Sequence, residues 1–342
     1  MGILRTIERT IRSGLLRLLT ASARQEESPS ERPTPERILI IRVDRIGDAI
    51  VSTPTVRLLR TAFPGSRIDM LLGEKNRAIA SLLPFVDNVM VWERRPGRLL
   101  AVVGRLRRGR YDLVINLHTD RSSNAETAAA IAAGTHTIRA HEVDGIESGH
   151  IVPAVARSLE RLGIEISGLT ESELQMQLLI PGAFGCDPDG PIGLNVSCRD
   201  PERRWPINSY RRLIGRLNTA GDRVVVLAEP TDRGLAESVV PEGLSVPVET
   251  REGLMDYLRL LQTCSILISP DSGAVHMAAA CGVPVVGLYA SDAKERRWRP
   301  WGVPNVTLVG DRSVATIPVA DVLKSIERMR GRLIKDEAES DA

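Results

Sequence analysis

Three short polar loops of this chain contain side chains suited to catalysis or to binding phosphate. The first is Asp44–Asp48 (DRIGD), in which Asp48 stands just before an apolar, helix-like segment. An aspartate ordinarily titrates at about 4, so it is ionised at neutral pH and can accept a proton from a hydroxyl nucleophile. An aspartate at this place also suits an ordinary helix cap or first turn. The loop alone leaves both interpretations open.

The second loop, Asn195–Trp205 (NVSCRDPERRW), concentrates positive charge. It contains Arg199, Arg203 and Arg204 and ends just before Pro206, a residue suited to the beginning of a helix. Arginine clusters bind phosphate through charge and paired hydrogen bonds. A solvated charged turn would have the same composition, so this loop is a phosphate-site candidate only in combination with the others.

The third loop, Ser269–His276 (SPDSGAVH), has the most specific pattern. Asp271 or Ser272 can cap a following helix, and Gly273 permits a ligand to approach the backbone closely. The free N–H groups and the dipole of such a helix start form an anion site. His276 lies one turn further on, where it either reaches a phosphate or is an ordinary buried histidine.

Short apolar runs alternate with helix-like segments in the first half of the folded chain. The run Arg37–Val43 (RILIIRV) is typical of a buried parallel strand and leads into the Asp44–Asp48 loop. Further strands are predicted at Arg67–Leu72, Asn88–Trp92, Asp112–Leu117 and Thr137–Arg139. Helices are predicted at Ala49–Ala62, Asn76–Leu83, Arg98–Arg107 and Asn124–Ala133. The alternation predicts a parallel sheet covered on both faces.

The alternation restarts after Gln177–Gly190, whose prolines and glycines suit an interdomain linker. Strands are predicted at Ile192–Val196, Asp222–Ala228, Ser265–Ser269 and Val283–Tyr289, and helices at Ile207–Ala220, Thr231–Val240, Leu254–Thr263, Gly273–Cys281 and Val319–Ile334. The chain is therefore expected to form two doubly wound α/β domains, residues 37–180 and 190–335, with a cleft between them. Ligands of such sheets bind beyond the carboxyl ends of the strands, where the three loops lie.

The first residues form a separate pattern. Residues 1–20 place Leu4, Ile7 and Ile11 on one helical face and arginines on the other, and residues 21–36 are a polar, proline-rich tether. A basic amphipathic helix can lie on an anionic membrane surface, and it can equally pack on the protein body. Peripheral membrane contact through residues 1–20 is thus one of two expectations.

Composition excludes several classes of protein. Forty-five basic and 43 acidic residues leave a net charge of only +2, and aromatic residues make up 3%, so nucleic acid is not an expected partner. The four cysteines form no C-x-x-C pair, which fits a reducing cytoplasm and no zinc site. There is no G-x-G-x-x-G motif, and none of the three polar loops contains a D-x-D pair, so we expect neither a dinucleotide cofactor nor a bound metal. We expect a cytoplasmic protein, at most attached to the inner face of the membrane.

Several of these segments carry a family resemblance. Arg37–Pro54 (RILIIRVDRIGDAIVSTP) resembles the opening of glycosyltransferase family 9, the ADP-heptose:lipopolysaccharide heptosyltransferases. The same family order continues through Tyr111–Asn116 (YDLVIN), Arg203–Pro206 (RRWP), Asp271–His276 (DSGAVH) and Gly282–Tyr289 (GVPVVGLY). Each motif is weak alone, and the ordered set is specific.

The resemblance implies a GT-B fold, with the acceptor bound mainly by the first domain and the donor by the second. It assigns Asp48 as the catalytic base and Arg203 to the family's phosphate-binding lysine. The implied donor-binding residues are Ser197, Cys198, Arg203, Glu229, Asp271, Ser272, Gly273 and His276. The candidate acceptor contacts are Arg45, His118 and Arg121. The loop Asn116–Asn124 (NLHTDRSSN) departs from the family's commoner glutamine-glycine version.

The implied activity is an inverting, metal-independent transfer of a sugar, expected to be heptose from ADP-heptose, to a lipopolysaccharide core or related glycolipid. No cofactor is implied. Two alternatives use the same scaffold. A non-catalytic nucleotide-sugar-binding module would need the second and third loops without Asp48, and a nucleotide-sugar epimerase would convert the donor without an acceptor.

Overall fold

The computed structural model describes residues 34–340, apart from residues 94, 133–135 and 182–183. The predictions for residues 1–20 and for most of the tether 21–36 lie outside the described residues. No helix in the described part of the chain combines the length and the apolar character needed to cross a bilayer.

The chain divides into two compact units. One comprises the described residues up to Glu147 together with Pro153–Gly168, and the other comprises Ser148–Val152 together with the residues from Leu169 onward. The chain therefore passes between the units three times, each time before the segment Gln177–Gly190 that was predicted to be the linker.

Hydrogen bonds attach the segment predicted as a linker to the second unit. The amide of Gly185 donates to the carbonyl of Cys281 at 2.9 Å, and that of Asp187 donates to the carbonyl of Gln262 at 2.9 Å. The prolines and glycines of this segment thus form turns that belong to the second unit. Proline and glycine are common in turns and in linkers, so composition alone does not distinguish the two.

The first unit contains a five-stranded parallel sheet in the order β3-β2-β1-β4-β5. Its strands are β1 (Arg37–Arg42), β2 (Arg67–Gly73), β3 (Asn88–Trp92), β4 (Leu113–Asn116) and β5 (His136–Arg139). Its helices are α1 (Ile46–Val51), α2 (Thr53–Ala62), α3 (Pro96–Gly109) and α4 (Ser123–Ala132), and α5 (Ile151–Ala156) follows where the chain returns to this unit. β1 lies at the centre, with five of its six residues buried.

The predicted helix Ala49–Ala62 is two helices. α1 ends at Val51 and α2 begins at Thr53, with Pro54 in its first turn. Proline has no N–H and clashes with the carbonyl of the preceding turn, so it interrupts the helix here. The predicted helix Asn76–Leu83 is a 3₁₀ helix, Arg77–Leu82.

The second unit contains a six-stranded parallel sheet in the order β11-β10-β9-β6-β7-β8. Its strands are β6 (Ile192–Asn195), β7 (Val224–Ala228), β8 (Val248–Thr250), β9 (Ile266–Pro270), β10 (Val285–Tyr289) and β11 (Asn305–Val309). Its helices are α6 (Ile207–Thr219), α7 (Arg233–Ser238), α8 (Leu254–Gln262), α9 (Gly273–Cys281), α10 (Asp292–Trp298) and α11 (Val319–Ser340). The two edge strands, β8 and β11, and helix α10 were not predicted.

His150 anchors the short stretch Ser148–Val152 to the second unit. Its ring stacks on Trp301 at 4.3 Å between centroids. Nε2 lies 2.8 Å from the carbonyl oxygen of Arg299, and Nδ1 accepts the N–H of Val152 at 3.2 Å. Burial lowers the pKa of His150 to about 3, so the ring is neutral at physiological pH.

We expect His150 to make the protein less stable in acid. The unfolded histidine takes up a proton near its ordinary pKa, whereas the folded one does so only near 3, so its stabilising contribution is complete above about 6.5 and is lost as the pH falls. The free energy of unfolding should lose roughly 1.4 kcal/mol per pH unit from this residue. Urea unfolding between neutral and acidic pH measures the slope. His150→Gln should flatten it, and a slope in His150→Gln as steep as that of the wild type would contradict this.

Candidate functional site

The polar loops of the second unit meet at the carboxyl ends of β6, β7 and β9, which are neighbours in its sheet. Asn195, the last residue of β6, joins two of them. Its Nδ2 lies 3.0 Å from the carbonyl oxygen of Ser197, 3.0 Å from Ser269 Oγ and 3.2 Å from Ser272 Oγ. Asn195 is 1% exposed, so its buried side chain holds the second and third loops together through these hydrogen bonds.

A second network joins the loop after β6 to the loop after β7. Ser197 Oγ donates to Asp232 Oδ2 at 2.8 Å and accepts the N–H of Glu229 at 2.9 Å. Arg204 donates from NH2 to Asp232 Oδ1 at 3.2 Å and from Nε to the carbonyl of Cys198 at 3.0 Å. The arginine cluster is therefore not simply a solvated turn, since Arg204 holds the loop in place.

Arg203 is paired with carboxylates and remains partly accessible. Its NH1 donates to Asp271 Oδ2 at 3.0 Å, its Nε lies 3.5 Å from Asp200 Oδ2, and its side chain is 31% exposed. The two carboxylates orient the guanidinium without burying it. An anionic ligand can therefore reach it from solvent.

The third loop presents the amino end of α9. Ser272 is the N-cap residue by position, but its side chain makes no capping hydrogen bond to the helix. Its hydroxyl instead lies 3.2 Å from Ser269 Oγ, next to Asn195. The first N–H groups of this nine-residue helix, starting at Gly273, thus have no side-chain cap, as an anion site requires.

The other predicted donor residues have distinct environments. Cys198 is buried with Sγ 3.5 Å from the carbonyl oxygen of Asp271, and desolvation raises the pKa of its thiol, so it is protonated and not a nucleophile. His276 is 5% exposed, with its ring 5.9 Å from that of Trp298. Glu229 is exposed at the start of the loop after β7. The structure brings the predicted donor residues to one edge of this sheet.

The first unit has its own polar cluster at the carboxyl ends of β1 and β4, built on Arg42. This side chain is 1% exposed, and its NH2 lies 3.4 Å from Asp48 Oδ1. Its Nε donates to the backbone oxygen of Asp48 at 3.1 Å and lies 3.4 Å from Asp44 Oδ2. Its NH1 donates to the carbonyl of Leu117. Arg42 therefore ties two carboxylates of the Asp44–Asp48 loop to the neighbouring strand.

His118, two residues after the end of β4, contacts the same loop. Its Nε2 accepts the N–H of Val43 at 3.0 Å, which places the hydrogen on Nδ1, 3.5 Å from Asp44 Oδ2 and 3.8 Å from Asp120 Oδ1. Burial, reinforced by the charge of Arg42, lowers the pKa of His118 to about 4. Burial raises the pKa of Asp44, and the nearby guanidinium opposes that rise. His118 was predicted to contact an acceptor; at 2% exposure it is an interior residue that fixes the loop.

The remaining candidates of the first unit are accessible. Arg45, at the N-cap position of α1, and Arg121, in the loop after β4, are exposed. Asp48 lies in the first turn of α1 with 19% of its side chain exposed, so its carboxylate is both held by Arg42 and open to solvent. The sequence did not indicate roles for Arg42 and Asp44, since Arg42 lies in an apolar strand pattern.

Comparisons with known proteins identify similar sequences and folds. The model of the family "Glycosyltransferase family 9 (heptosyltransferase)" matches residues 169–318, which lie in the second unit. Lipopolysaccharide heptosyltransferase 3 of Escherichia coli K12 is 25% identical over 287 residues, 75% of this chain and 82% of the relative. Lipopolysaccharide heptosyltransferase 1 of Salmonella typhimurium is 24% identical over 285 residues, 74% of this chain and 88% of the relative.

Solved structures give the same fold. A glycosyl transferase family 9 protein from Veillonella parvula superposes with a TM-score of 0.75 at 21% identity, covering 87% of this chain and 97% of that one. The E. coli heptosyltransferase WaaC with ADP superposes with a TM-score of 0.70 at 20% identity, covering 86% and 99%. The predicted GT-B type, with two Rossmann-like parallel sheets, is confirmed. Motifs, fold and relatives therefore agree that this enzyme is a glycosyltransferase, and the chain is similar to the heptosyltransferases of glycosyltransferase family 9.

Proposed function

We propose that this chain transfers heptose from ADP-heptose to a lipopolysaccharide core or related glycolipid, with inversion at the anomeric carbon and without a metal ion. The observation that carries the proposal is the edge of the second sheet, where Arg203 stands beside the uncapped start of α9. A guanidinium and a set of backbone amides suit a nucleoside diphosphate. The relatives are named as lipopolysaccharide heptosyltransferases, and one was solved with ADP.

In this mechanism Asp48 accepts the proton of the acceptor hydroxyl while that oxygen attacks the anomeric carbon. The bond from this carbon to the diphosphate oxygen breaks, and ADP leaves from the opposite face, so the configuration inverts. The negative charge that gathers on ADP is stabilised by Arg203 and by the amides at Ser272 and Gly273. These groups take the part that a divalent cation would otherwise play. A cytoplasmic location, with the glycolipid presented at the membrane, remains part of the proposal.

A transfer assay with ADP-heptose and a lipopolysaccharide core acceptor tests the proposal. We expect product only when both substrates are present, an inverted anomeric configuration by NMR, and an unchanged rate in EDTA. Donor binding without turnover would instead indicate a binding module, and donor conversion without acceptor would indicate an epimerase. Loss of activity in EDTA would contradict the metal-free mechanism.

Arg203→Gln is expected to raise the dissociation constant of ADP about 10- to 100-fold, because a charge-assisted hydrogen bond to phosphate is lost. Arg203→Lys keeps the positive charge but lacks the planar guanidinium with its paired donors, so it should raise the dissociation constant of ADP less than Arg203→Gln does. Isothermal titration measures both. Arg199→Gln is the matched control, because Arg199 is exposed in the same loop and should change ADP binding little. ADP binding by Arg203→Gln at the wild-type level would remove Arg203 from the site.

A further inference from the structure

Helix α3 presents an unusually basic surface on the first unit. Residues 94–111 contain seven arginines and no aspartate or glutamate, although the whole chain is nearly balanced at 45 basic and 43 acidic residues. Val102 and Leu106 are buried in the core of the unit, so the opposite face of α3 is turned to solvent. This exposed face carries most of the excess charge.

The exposed face combines charge with one apolar side chain. Arg105, Arg107 and Arg108 are exposed along the second half of the helix, and Arg110 follows at its end. Leu100, two turns before the end of α3, is 72% exposed, the highest value among the large exposed apolar residues of the described chain. We call Leu100, Arg105, Arg107, Arg108 and Arg110 the α3 face.

Among the described residues, no carboxylate forms an ion pair with the arginines of this face. Arg98, in the first turn of α3, contacts both carboxylate oxygens of Glu93 at 2.7 Å. In contrast, Arg105, Arg107 and Arg108 make no ion pair with any of the residues that the structure describes. Arg110 has a φ of 46°, a left-handed conformation that favours glycine at the end of a helix. An arginine is thus present where the backbone would favour another residue.

The helix dipole explains only part of this arrangement. Cations in the last turn of a helix interact favourably with its free carbonyl groups, which accounts for Arg107 and Arg108. It does not account for the absence of carboxylates along the helix or for the outward position of Leu100. Arginines around an exposed apolar residue are instead typical of a helix that lies at a lipid interface, where the charges meet phosphates and the apolar side chain enters the acyl boundary.

We propose that the α3 face docks this protein on an anionic phospholipid bilayer. The occupant is the lipid surface and not nucleic acid, because the aromatic side chains that stack on bases make up only 3% of the chain and Leu100 suits an acyl layer. The face shares no residue with the proposed donor and acceptor sets, so it adds a membrane contact to the transfer reaction. It is also distinct from the contact predicted for residues 1–20.

A fluorescent label at the α3 face tests the proposal in the full chain. Leu100→Cys, in a Cys186→Ser background, is labelled with an environment-sensitive dye and mixed with vesicles of phosphatidylcholine, with or without an equal part of phosphatidylglycerol. We expect co-sedimentation and a blue-shifted emission only with the anionic vesicles. The same label at Asn218→Cys, exposed on α6, should sediment without a shift. Sedimentation with an unshifted label at residue 100 would assign the contact to another segment and overturn the proposal.

Removing charge from the α3 face should weaken membrane binding. The triple variant Arg105→Gln, Arg107→Gln and Arg108→Gln should partition into anionic vesicles on the order of 100-fold less than the wild type. The matched control replaces Arg212, Arg216 and Arg328, three exposed arginines of the second unit, by glutamine and should partition nearly as the wild type does. Circular dichroism verifies that both variants are folded. Equal partitioning of the two triple variants, or binding of RNA in preference to anionic vesicles, would overturn the proposal.

Discussion

Replacing Asp48 by asparagine is expected to lower kcat for sugar transfer by about 10²–10⁴-fold, the usual contribution of a positioned general base. Asparagine has nearly the same shape, but its amide does not accept the proton of the acceptor hydroxyl. The dissociation constant for ADP should stay within a few-fold of the wild-type value, because the proposed diphosphate contacts belong to Arg203 and α9. A large loss of kcat with unchanged donor binding is thus the expected pattern.

The geometry around Asp48 supports a reactive role over a purely structural one. Its Oδ1 lies 3.4 Å from NH2 of the buried Arg42, and 19% of its side chain is still exposed. An aspartate serving only as a helix cap would need no buried cation behind it. The loop thus holds one carboxylate oriented and accessible, as proton abstraction requires.

Initial transfer rates and ADP titrations on the same preparations test the role of Asp48. Asp120→Asn is a suitable control, because its carboxylate belongs to the same unit and is 87% exposed. It should leave kcat close to the wild-type value. Full transfer activity in folded Asp48→Asn would exclude the general-base role, whereas loss of both ADP binding and secondary structure would indicate unfolding.

The central strands and the three loops were predictable because their signals are local. β1 is an unbroken apolar run, and α9 begins at the residue that the Asp271–Ser272–Gly273 pattern indicates. In parallel sheets, the carboxyl ends of adjacent strands meet at one edge, so the grouping of Arg203 with Asp271 also follows from the topology. Short edge strands lack such a signal: β8 has three residues, all only half-buried.

The residues that the sequence did not reveal are those whose partners lie far along the chain. Asn195 ends an apolar strand, and its amide bonds to serines more than 70 positions away. Arg42 resembles an ordinary solvent-facing strand residue, and its contact with Leu117 depends on the pairing of β1 with β4. Nothing in an apolar strand pattern distinguishes a buried arginine at the end of the strand from an exposed one. Long-range hydrogen bonds such as those of Asn195 and Arg42 can be recognised only when the strand order is known.

Replacing Arg42 by methionine is expected to lower the free energy of unfolding by about 3–5 kcal/mol, the typical result of removing one partner from a buried charge network. Methionine has a similar length, so the loss is mainly electrostatic. The Asp44 and Asp48 carboxylates lose their cation, and the carbonyl oxygen of Leu117 loses a donor. Unfolding in urea, with the slope compared between variants, measures the change.

Arg98→Met is the matched control for Arg42→Met. Arg98 also pairs with a carboxylate, at 2.7 Å, but its side chain is 59% exposed, so the variant should lose less than about 1 kcal/mol. Similar losses in the two variants would mean that Arg42 is not a special support of the Asp44–Asp48 loop.

The double variant Arg42→Met/Asp48→Asn separates a specific pairing from general loss of packing. If Arg42 stabilises the protein partly by neutralising Asp48, removing that charge should restore some of the stability lost in Arg42→Met, and the two substitutions should be non-additive by about 0.5–3 kcal/mol. Strict additivity would mean that the two side chains do not interact energetically. Coupling between them would mean that the cation that stabilises the first unit also orients its proposed base, so the fold and the reactivity of this loop would depend on one buried guanidinium.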